Sequence, residues 1–205
     1  MEILEVLPNQ VKEVIEEAVR VLNNGGLIVY PTETCYGLGV DATNDQAVDK
    51  LWNFKGERGD KPVLIAVSSV KMAEENAEIN YLANKITQKY WPGPVSIVAL
   101  SKNKVSKKVQ GGKETVGLRM PNQPLVLSMI KKLDKPITST SANISGGSNP
   151  YSLEQFLAST PVERVALVDL FIDGGVIPER FPSTLVDTTG KEVAVLRQGE
   201  IEVTI

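Results

Sequence analysis

The 205-residue chain sets 22 lysines and arginines against 25 acidic residues and has no histidine. The missing histidine excludes Ser-His-Asp and Cys-His nucleophile activation and histidine-ligated zinc, and a formal charge of −3 gives no general attraction to nucleic acid. A single cysteine, Cys35, excludes an internal disulfide and a cysteine-cluster metal site, and points to a reducing compartment, with the cytoplasm as the expected location.

No apolar run is long enough to span a bilayer, and the acidic start Met1-Glu2-Ile3-Leu4-Glu5 lacks a signal peptide's basic and apolar regions. No membrane partner is expected. Catalysis in such a chain must rest on lysine, arginine, carboxylates, hydroxyls, backbone dipoles or a hard metal ion. Those groups suit phosphate and carboxylate substrates.

Residues 10–22 place Val11, Ile15, Ala18 and Leu22 at helical spacing, and the Asn23-Asn24-Gly25-Gly26 turn ends that helix. Leu27-Ile28-Val29-Tyr30 reads as a buried strand. Pro31 cannot donate to a ladder and is expected to stop it as a central strand. A polar loop should follow from Pro31 to Gly39, with Thr32 and Thr34 around Glu33, then Cys35, Tyr36, Gly37 and Leu38. Asn44 or Asp45 can cap a second helix with Ala47, Val48, Leu51 and Trp52 as its apolar stripe. It runs into a basic, glycine-interrupted stretch from Phe54 through Lys55, Gly56, Glu57, Arg58, Gly59 and Asp60 to Lys61 and Pro62.

Val63-Leu64-Ile65-Ala66-Val67 is too uniformly apolar to have a wet face and predicts a central strand. Residues 70–90 read as one or two helices, ended by Trp91-Pro92-Gly93-Pro94. Val95 to Leu100 is a further strand. Ser101 to Glu114 is a lysine-rich, hairpin-like loop carrying Lys102, Lys104, Lys107, Lys108 and Lys113. Thr115 to Met120 is a short strand, Leu125 to Leu133 a helix, and Pro136 to Thr140 a strand followed by the small polar loop Ser141 to Gly147. A helix near Leu153 to Leu157 leads to a strand at Leu170 to Asp173. Ser183 to Asp187 and Val193 to Arg197 pair across the Thr189-Gly190 turn. Interleaved strands and helices with late tight turns predict an α/β protein built on a mixed parallel/antiparallel sheet flanked by helices, in a single domain over residues 1–205.

The polar stretches fall at predicted strand or helix ends, where α/β proteins bind ligands. Singly, each fits a solvated turn or a surface loop. Together they bring arginines, lysines, hydroxyls and an amide into position for an anion pocket able to hold a nucleotide triphosphate, although no phosphate-loop or G-x-G-x-x-G motif is present.

Seven motifs occur in a characteristic order. They are Pro31-Thr32-Glu33-Thr34-Cys35-Tyr36-Gly37-Leu38-Gly39, the lysine-arginine turn before Lys61-Pro62, Trp91-Pro92-Gly93-Pro94, Val116-Gly117-Leu118-Arg119-Met120-Pro121, Ser139-Thr140-Ser141-Ala142-Asn143, Ser183-Thr184 and Leu196-Arg197-Gln198-Gly199. The chain thereby resembles the YrdC-like family of threonylcarbamoyl-AMP synthases in its short form. The resemblance implies a twisted mixed sheet around a large, concave, basic cavity. It implies an enzyme, a nucleotidyltransferase, that joins L-threonine, bicarbonate and ATP into threonylcarbamoyl-adenylate and pyrophosphate. Mg²⁺ would accompany ATP, with no metal held by the protein alone, and a separate transferase complex would modify tRNA.

By motif, the resemblance assigns Lys55, Arg58 and Lys61 to the ATP phosphates, the first two as catalytic groups, with Ser141, Asn143 and Arg197 around the nucleotide. Thr32 or Thr34, Arg119, Ser139 and Ser183 would orient threonine. One departure stands out: Gly56 and Glu57 separate Lys55 from Arg58 where the family carries a single residue, so Glu57 takes the arginine's usual slot. The main alternative is a non-catalytic protein that holds tRNA or double-stranded RNA on the same concave basic surface. A carbamoyl-adenylate activity like that of hydrogenase-maturation proteins is a third reading, weakened by the lack of acylphosphatase or zinc-finger segments.

Overall fold

The computed structural model describes residues 1–56 and 61–204. The chain opens with β1 (Glu2–Glu5), then α1 (Val11–Asn23), β2 (Ile28–Pro31), β3 (Tyr36–Gly39) and α2 (Asp45–Lys55). Next come β4 (Leu64–Ala66), α3 (Val70–Asn76), α4 (Tyr81–Tyr90), β5 (Val95–Leu100), α5 (Lys107–Gln110), β6 (Thr115–Arg119) and α6 (Pro124–Leu133). The remainder holds β7 (Ile137–Ser141), α7 (Leu153–Ser159), α8 (Val162–Val165), β8 (Leu170–Asp173), β9 (Thr184–Asp187) and β10 (Ala194–Arg197).

The described strands join in the order β1-β8-β2-β3-β7-β4-β6-β5-β9-β10. Four pairs are parallel (β1/β8, β2/β8, β4/β6, β5/β9) and the other described pairs antiparallel, so the sheet is mixed as expected. β4 lies between β7 and β6, the interior place that its uniformly apolar sequence predicts.

Helix starts follow local chemistry. Asn44 settles the choice at α2, its Oδ1 accepting from the Gln46 and Ala47 amides at 3.0 and 3.2 Å. Ser69, Asn80 and Ser152 cap α3, α4 and α7 in the same way. On the helix side of the sheet one apolar core joins Phe54 of α2, Phe156 of α7 and Phe171 of β8. Their rings lie 6.2 and 5.4 Å apart in sequence, and the Tyr36 ring stands 5.0 Å from Phe171.

The stretch after Pro31 differs from its expected loop. Only Thr32 to Cys35 turn, and Tyr36–Gly39 return as β3, with Pro31 opposite Tyr36 in a hairpin. The proline is tolerated because β8 pairs with Ile28 and Val29 alone, so its missing donor falls past that ladder. The glycines of β3 make room for the buried Tyr30 ring: a Cβ on Gly39 would stand 2.8 Å from Tyr30 Cε1. Three further elements were absent from the sequence reading. β1 shows one apolar alternation too weak to register, α8 is a single turn, and α5 interrupts the lysine-rich connection through buried Val105 and Val109.

Candidate active site

The period-two alternation of the strands divides the sheet into a packed face and a hollow one. On β6, Val116 and Leu118 enter the core, whereas Thr115, Gly117 and Arg119 line a cavity of about 730 Å³. β9 repeats the division, with Val186 in the core and Leu185 and Asp187 in the cavity. Ser139 and Ser141 of β7 and the β2–β3 turn complete this wall, and no residue of a helix lines it among the described residues. Gly117 keeps the floor low, since a Cβ there would sit 2.3 Å from Leu64 Cδ2.

Arg119 is buried at 5% exposure. Its Nη1 donates to Thr34 Oγ1 at 3.2 Å, and Nη2 stands 2.7 Å from Glu33 Oε1 without the alignment of a hydrogen bond. Nε has no partner, nor does the second Glu33 oxygen. The Nε/Nη2 edge of a guanidinium is the fork that takes a carboxylate through two parallel bonds. Here Nε has no partner, Nη2 is held by the Glu33 charge, and Arg119 itself belongs to the cavity lining.

The β2–β3 turn is tied by its own threonines. Thr32 Oγ1 donates to the Cys35 carbonyl at 2.7 Å and accepts from the Thr34 and Cys35 amides at 3.1 and 3.2 Å. Cys35 also lines the cavity, where burial pushes its thiol above the usual cysteine range and the Arg119 charge opposes that shift.

On the other side, Ser183 is almost wholly buried and its hydroxyl lies 2.9 Å from that of buried Ser96. Arg197 clasps it from β10, Nε and Nη2 donating to the Ser183 carbonyl at 3.1 and 2.8 Å and Nη2 to the hydroxyl at 3.0 Å. Burial of the guanidinium, and next the charge of Arg119, lower the Arg197 pKa from the ordinary arginine value.

Lys55 occupies a different place from the one its phosphate assignment suggests. It is buried at the end of α2 and does not line the cavity. Its ammonium donates to the Ser141 carbonyl at 2.9 Å, the Asn143 carbonyl at 2.7 Å and Asn143 Oδ1 at 2.8 Å. Ser141 Oγ donates to the same Oδ1 at 2.7 Å, and the Ser145 amide to the Lys55 carbonyl at 3.0 Å. Lys55 and Asn143 thus shape the loop after β7, and of the three only Ser141 reaches the cavity. Lys61 is exposed beside the lining residues Pro62 and Val63. Arg58 lies outside the described residues.

The cavity therefore brings together Thr32, Thr34, Arg119, Ser139, Ser141, Ser183 and Arg197. It also contains residues that the motifs did not single out. Thr115 shares the Arg119 face at i−4, which strand periodicity alone could have revealed. Lys113 lay inside a lysine run read as solvated. Asn149, Arg180 and Asp187 come from irregular segments or strand ends with no local signature. Lining cations Lys113, Arg119, Arg180 and Arg197 face one lining carboxylate, Asp187, whose Oδ1 accepts from the Thr189 amide and hydroxyl at 2.8 and 2.7 Å.

Comparison with known proteins agrees with this layout. Residues 20–199 match the Sua5/YciO/YrdC family model, described as "Telomere recombination". A threonylcarbamoyl-AMP synthase of Pyrococcus abyssi is 34% identical over 195 residues, which covers 92% of this chain but 56% of that protein. A putative threonylcarbamoyl-AMP synthase of Methanocaldococcus jannaschii is 32% identical, with 99% of this chain and 94% of that protein covered. The crystal structure of P. abyssi Sua5 complexed with L-threonine superposes with a TM-score of 0.86 at 32% identity, covering 97% of this chain and 57% of that one. The chain thus spans a little over half the length of the Pyrococcus relative and nearly all of the Methanocaldococcus one.

Proposed function

The chain belongs to the Sua5/YciO/YrdC family, and from that premise we propose that it is an L-threonylcarbamoyladenylate synthase. It joins L-threonine, bicarbonate and ATP and releases pyrophosphate, for the threonylcarbamoyladenosine modification of tRNA in the cytoplasm. A separate transferase completes the modification. The observation that carries the reading is Arg119, a buried guanidinium of the cavity lining whose Nε finds no hydrogen-bond partner and whose Nη2 meets Glu33 without hydrogen-bond alignment. A buried N–H donor without a partner is costly, so a carboxylate ligand that reaches Nε gains strongly. Small hydroxyls around it, from Thr34, Ser139 and Ser183, suit the amine and hydroxyl of an amino acid rather than a bulky side chain.

Threonine binds by its carboxylate to Arg119. Its deprotonated amine attacks the carbon of carbon dioxide, the carbamate N–C bond forming as a C–O π bond opens and an amine proton passes to water. From bicarbonate the same carbamate forms as the C–OH bond breaks and water leaves. A carbamate oxygen then attacks the ATP α-phosphorus in line; the new P–O bond forms as the α–β bridging bond breaks, and pyrophosphate leaves. Carbamates lose carbon dioxide readily in water, so a walled cavity that excludes solvent and holds both reactants close contributes most of the catalysis. Negative charge grows on phosphoryl oxygens, where lining cations stabilise it.

By motif, Lys61 and Arg58 are assigned to the nucleotide phosphates, with Ser141 and Arg197 around the nucleotide. Lys55 and Asn143 serve by holding the Ser141 loop. Magnesium would enter on ATP and help neutralise its phosphates; among the described lining residues the carboxylate that could approach it is Asp187, whose Oδ1 also accepts from the Thr189 amide. The lysine run offers less to RNA than its charge suggests, since Lys108 pairs with Asp49 and Lys102 donates to the Glu74 carbonyl.

Calorimetric titration with L-threonine tests the reading. Saturable one-to-one binding that Arg119→Lys weakens is expected. No binding of threonine, together with tight, salt-sensitive binding of double-stranded RNA, would overturn it.

A further inference from the structure

Release of pyrophosphate asks for a cation that is free to take it. The arginines of the cavity differ in this respect. Arg119 is engaged by Thr34 and Glu33, and Arg197 by Ser183. Arg180 lines the same cavity, yet among the described residues it makes no hydrogen bond or ion pair. Lys113 is also cationic, but it enters six residues before Arg119, roughly 20 Å away along an extended chain. Arg180 instead lies three residues before Ser183, whose hydroxyl meets that of Ser96, the residue of β5 opposite Arg119.

The segment that carries Arg180 is built unlike the rest of the wall. Residues 174–183 connect β8, second in the sheet order, to β9, ninth. Seven strand spacings amount to roughly 34 Å on a flat sheet, close to the reach of this connection at about 3.4 Å per residue. It therefore runs extended across the sheet. Its first end is tied: the Gly174 amide donates to the Tyr36 hydroxyl at 2.9 Å, that hydroxyl to the Gly175 carbonyl at 2.7 Å, and the Ile177 amide to the Tyr151 carbonyl at 2.8 Å. The far end is clasped at Ser183 by Arg197. Between them, residues 178–182 make no hydrogen bond among the described residues. Phe181 is 72% exposed. Arg180 is thus a cation on a strap tied at both ends, with no hydrogen bond between Pro178 and Pro182 among the described residues.

We propose that Arg180 is a polyphosphate-binding residue: it takes the terminal phosphates of ATP and then the leaving pyrophosphate, and the 178–182 span settles onto the cavity as it does so. The inference rests on the proposed synthase reading. Arg180 supplies mobile charge at the leaving group, and Arg119 fixed charge at the amino acid. A guanidinium can meet two phosphate oxygens at once, so Lys at this position would retain attraction but lose the paired geometry.

The test is titration of inorganic pyrophosphate, and separately of L-threonine, into the unaltered protein, Arg180→Ala and Arg180→Lys. Pyrophosphate affinity should fall about tenfold or more in Arg180→Ala and less in Arg180→Lys, while threonine affinity stays within about twofold in all three. Because Arg180 has no partner among the described residues, both variants should keep a melting temperature close to the unaltered one. Equal pyrophosphate affinity in the unaltered protein and Arg180→Ala, with threonine binding retained, would overturn the Arg180 assignment and leave the synthase reading standing. Failure of the unaltered protein to bind threonine would overturn that reading and this inference with it.

Discussion

The Thr32 and Thr34 hydroxyl oxygens lie 3.0 Å apart, yet they are not equivalent. The single Thr32 hydroxyl proton goes to the Cys35 carbonyl and its lone pairs meet the Thr34 and Cys35 amides, so the group is saturated by its own turn. Thr34 Oγ1 receives Arg119 Nη1 and keeps acceptor capacity on the cavity side. Thr32→Ala should therefore destabilise the fold by about 1–2 kcal/mol in chemical denaturation. Thr34→Ala should chiefly raise the KM for threonine, by about tenfold if one hydrogen bond to the substrate is lost. Kinetics and unfolding midpoints measured on both variants decide between the roles.

The Arg119–Glu33 pair separates charge from shape. Its two side chains are 6% and 15% exposed. Arg119→Ala leaves a largely buried carboxylate unpaired and should lose about 3 kcal/mol of stability, a larger cost than its position near a strand end suggests from sequence. Arg119→Lys keeps a cation but no fork, so stability should be better preserved while threonine affinity falls by about tenfold or more. Unfolding curves and threonine titrations compared across the two variants check this split.

Lys55 should behave as a builder of the site rather than a contact within it. Removing its ammonium in Lys55→Met strands acceptors at Ser141 and Asn143. The expected result is a loss of at least about 2 kcal/mol of stability and a fall in the use of ATP, with the loop from Ser141 to Gly147 becoming protease-sensitive. A variant as stable and as resistant as the parent would show that Lys55 has no such hold on the loop.

Alkali provides a test that involves no substrate. Burial pushes the Tyr30 hydroxyl up to about 12, and it donates to the Thr138 carbonyl at 3.0 Å. Burial, and next the Asp173 charge, also push Tyr36 up. A tyrosine whose folded pKa exceeds its unfolded one stabilises the fold fully below pH 10 and loses that contribution as pH rises toward the folded value. Tyr30 alone should remove roughly 2–3 kcal/mol between pH 10 and 12. Stability followed by denaturant midpoint against pH should hold level up to about pH 9.5 and then decline, and Tyr30→Phe should flatten the decline.

Periodicity and turn chemistry made most of the sheet legible. The uniformly apolar Val63 to Val67 run, the alternation of residues 115–119 and the Asn-Asn-Gly-Gly stop each correspond to an observed element. The β2–β3 hairpin escaped because Pro31 and two glycines read as loop residues. Their tolerance depends on where β8 stops pairing and on the space that Tyr30 fills, both long-range facts. The polar wall was legible for the same reason as the strands: Arg119, Ser183 and Arg197 sit at or beside strand ends, and Ser139 lies within β7. Lys55 was not, because a lysine on the last turn of a helix looks alike whether it meets a phosphate or three carbonyl-type oxygens 86 and 88 residues along the chain. Arg180 left no trace at all, since nothing local marks a strap whose course is set by the sheet order.

The most direct measurement of the central claim is product formation by the purified protein with ATP, Mg²⁺, bicarbonate and labelled L-threonine. The account predicts pyrophosphate and a labelled threonylcarbamoyl-adenylate, both requiring threonine and bicarbonate together. Pyrophosphate release indifferent to threonine and bicarbonate, or no labelled adenylate under conditions where threonine is bound, would contradict it.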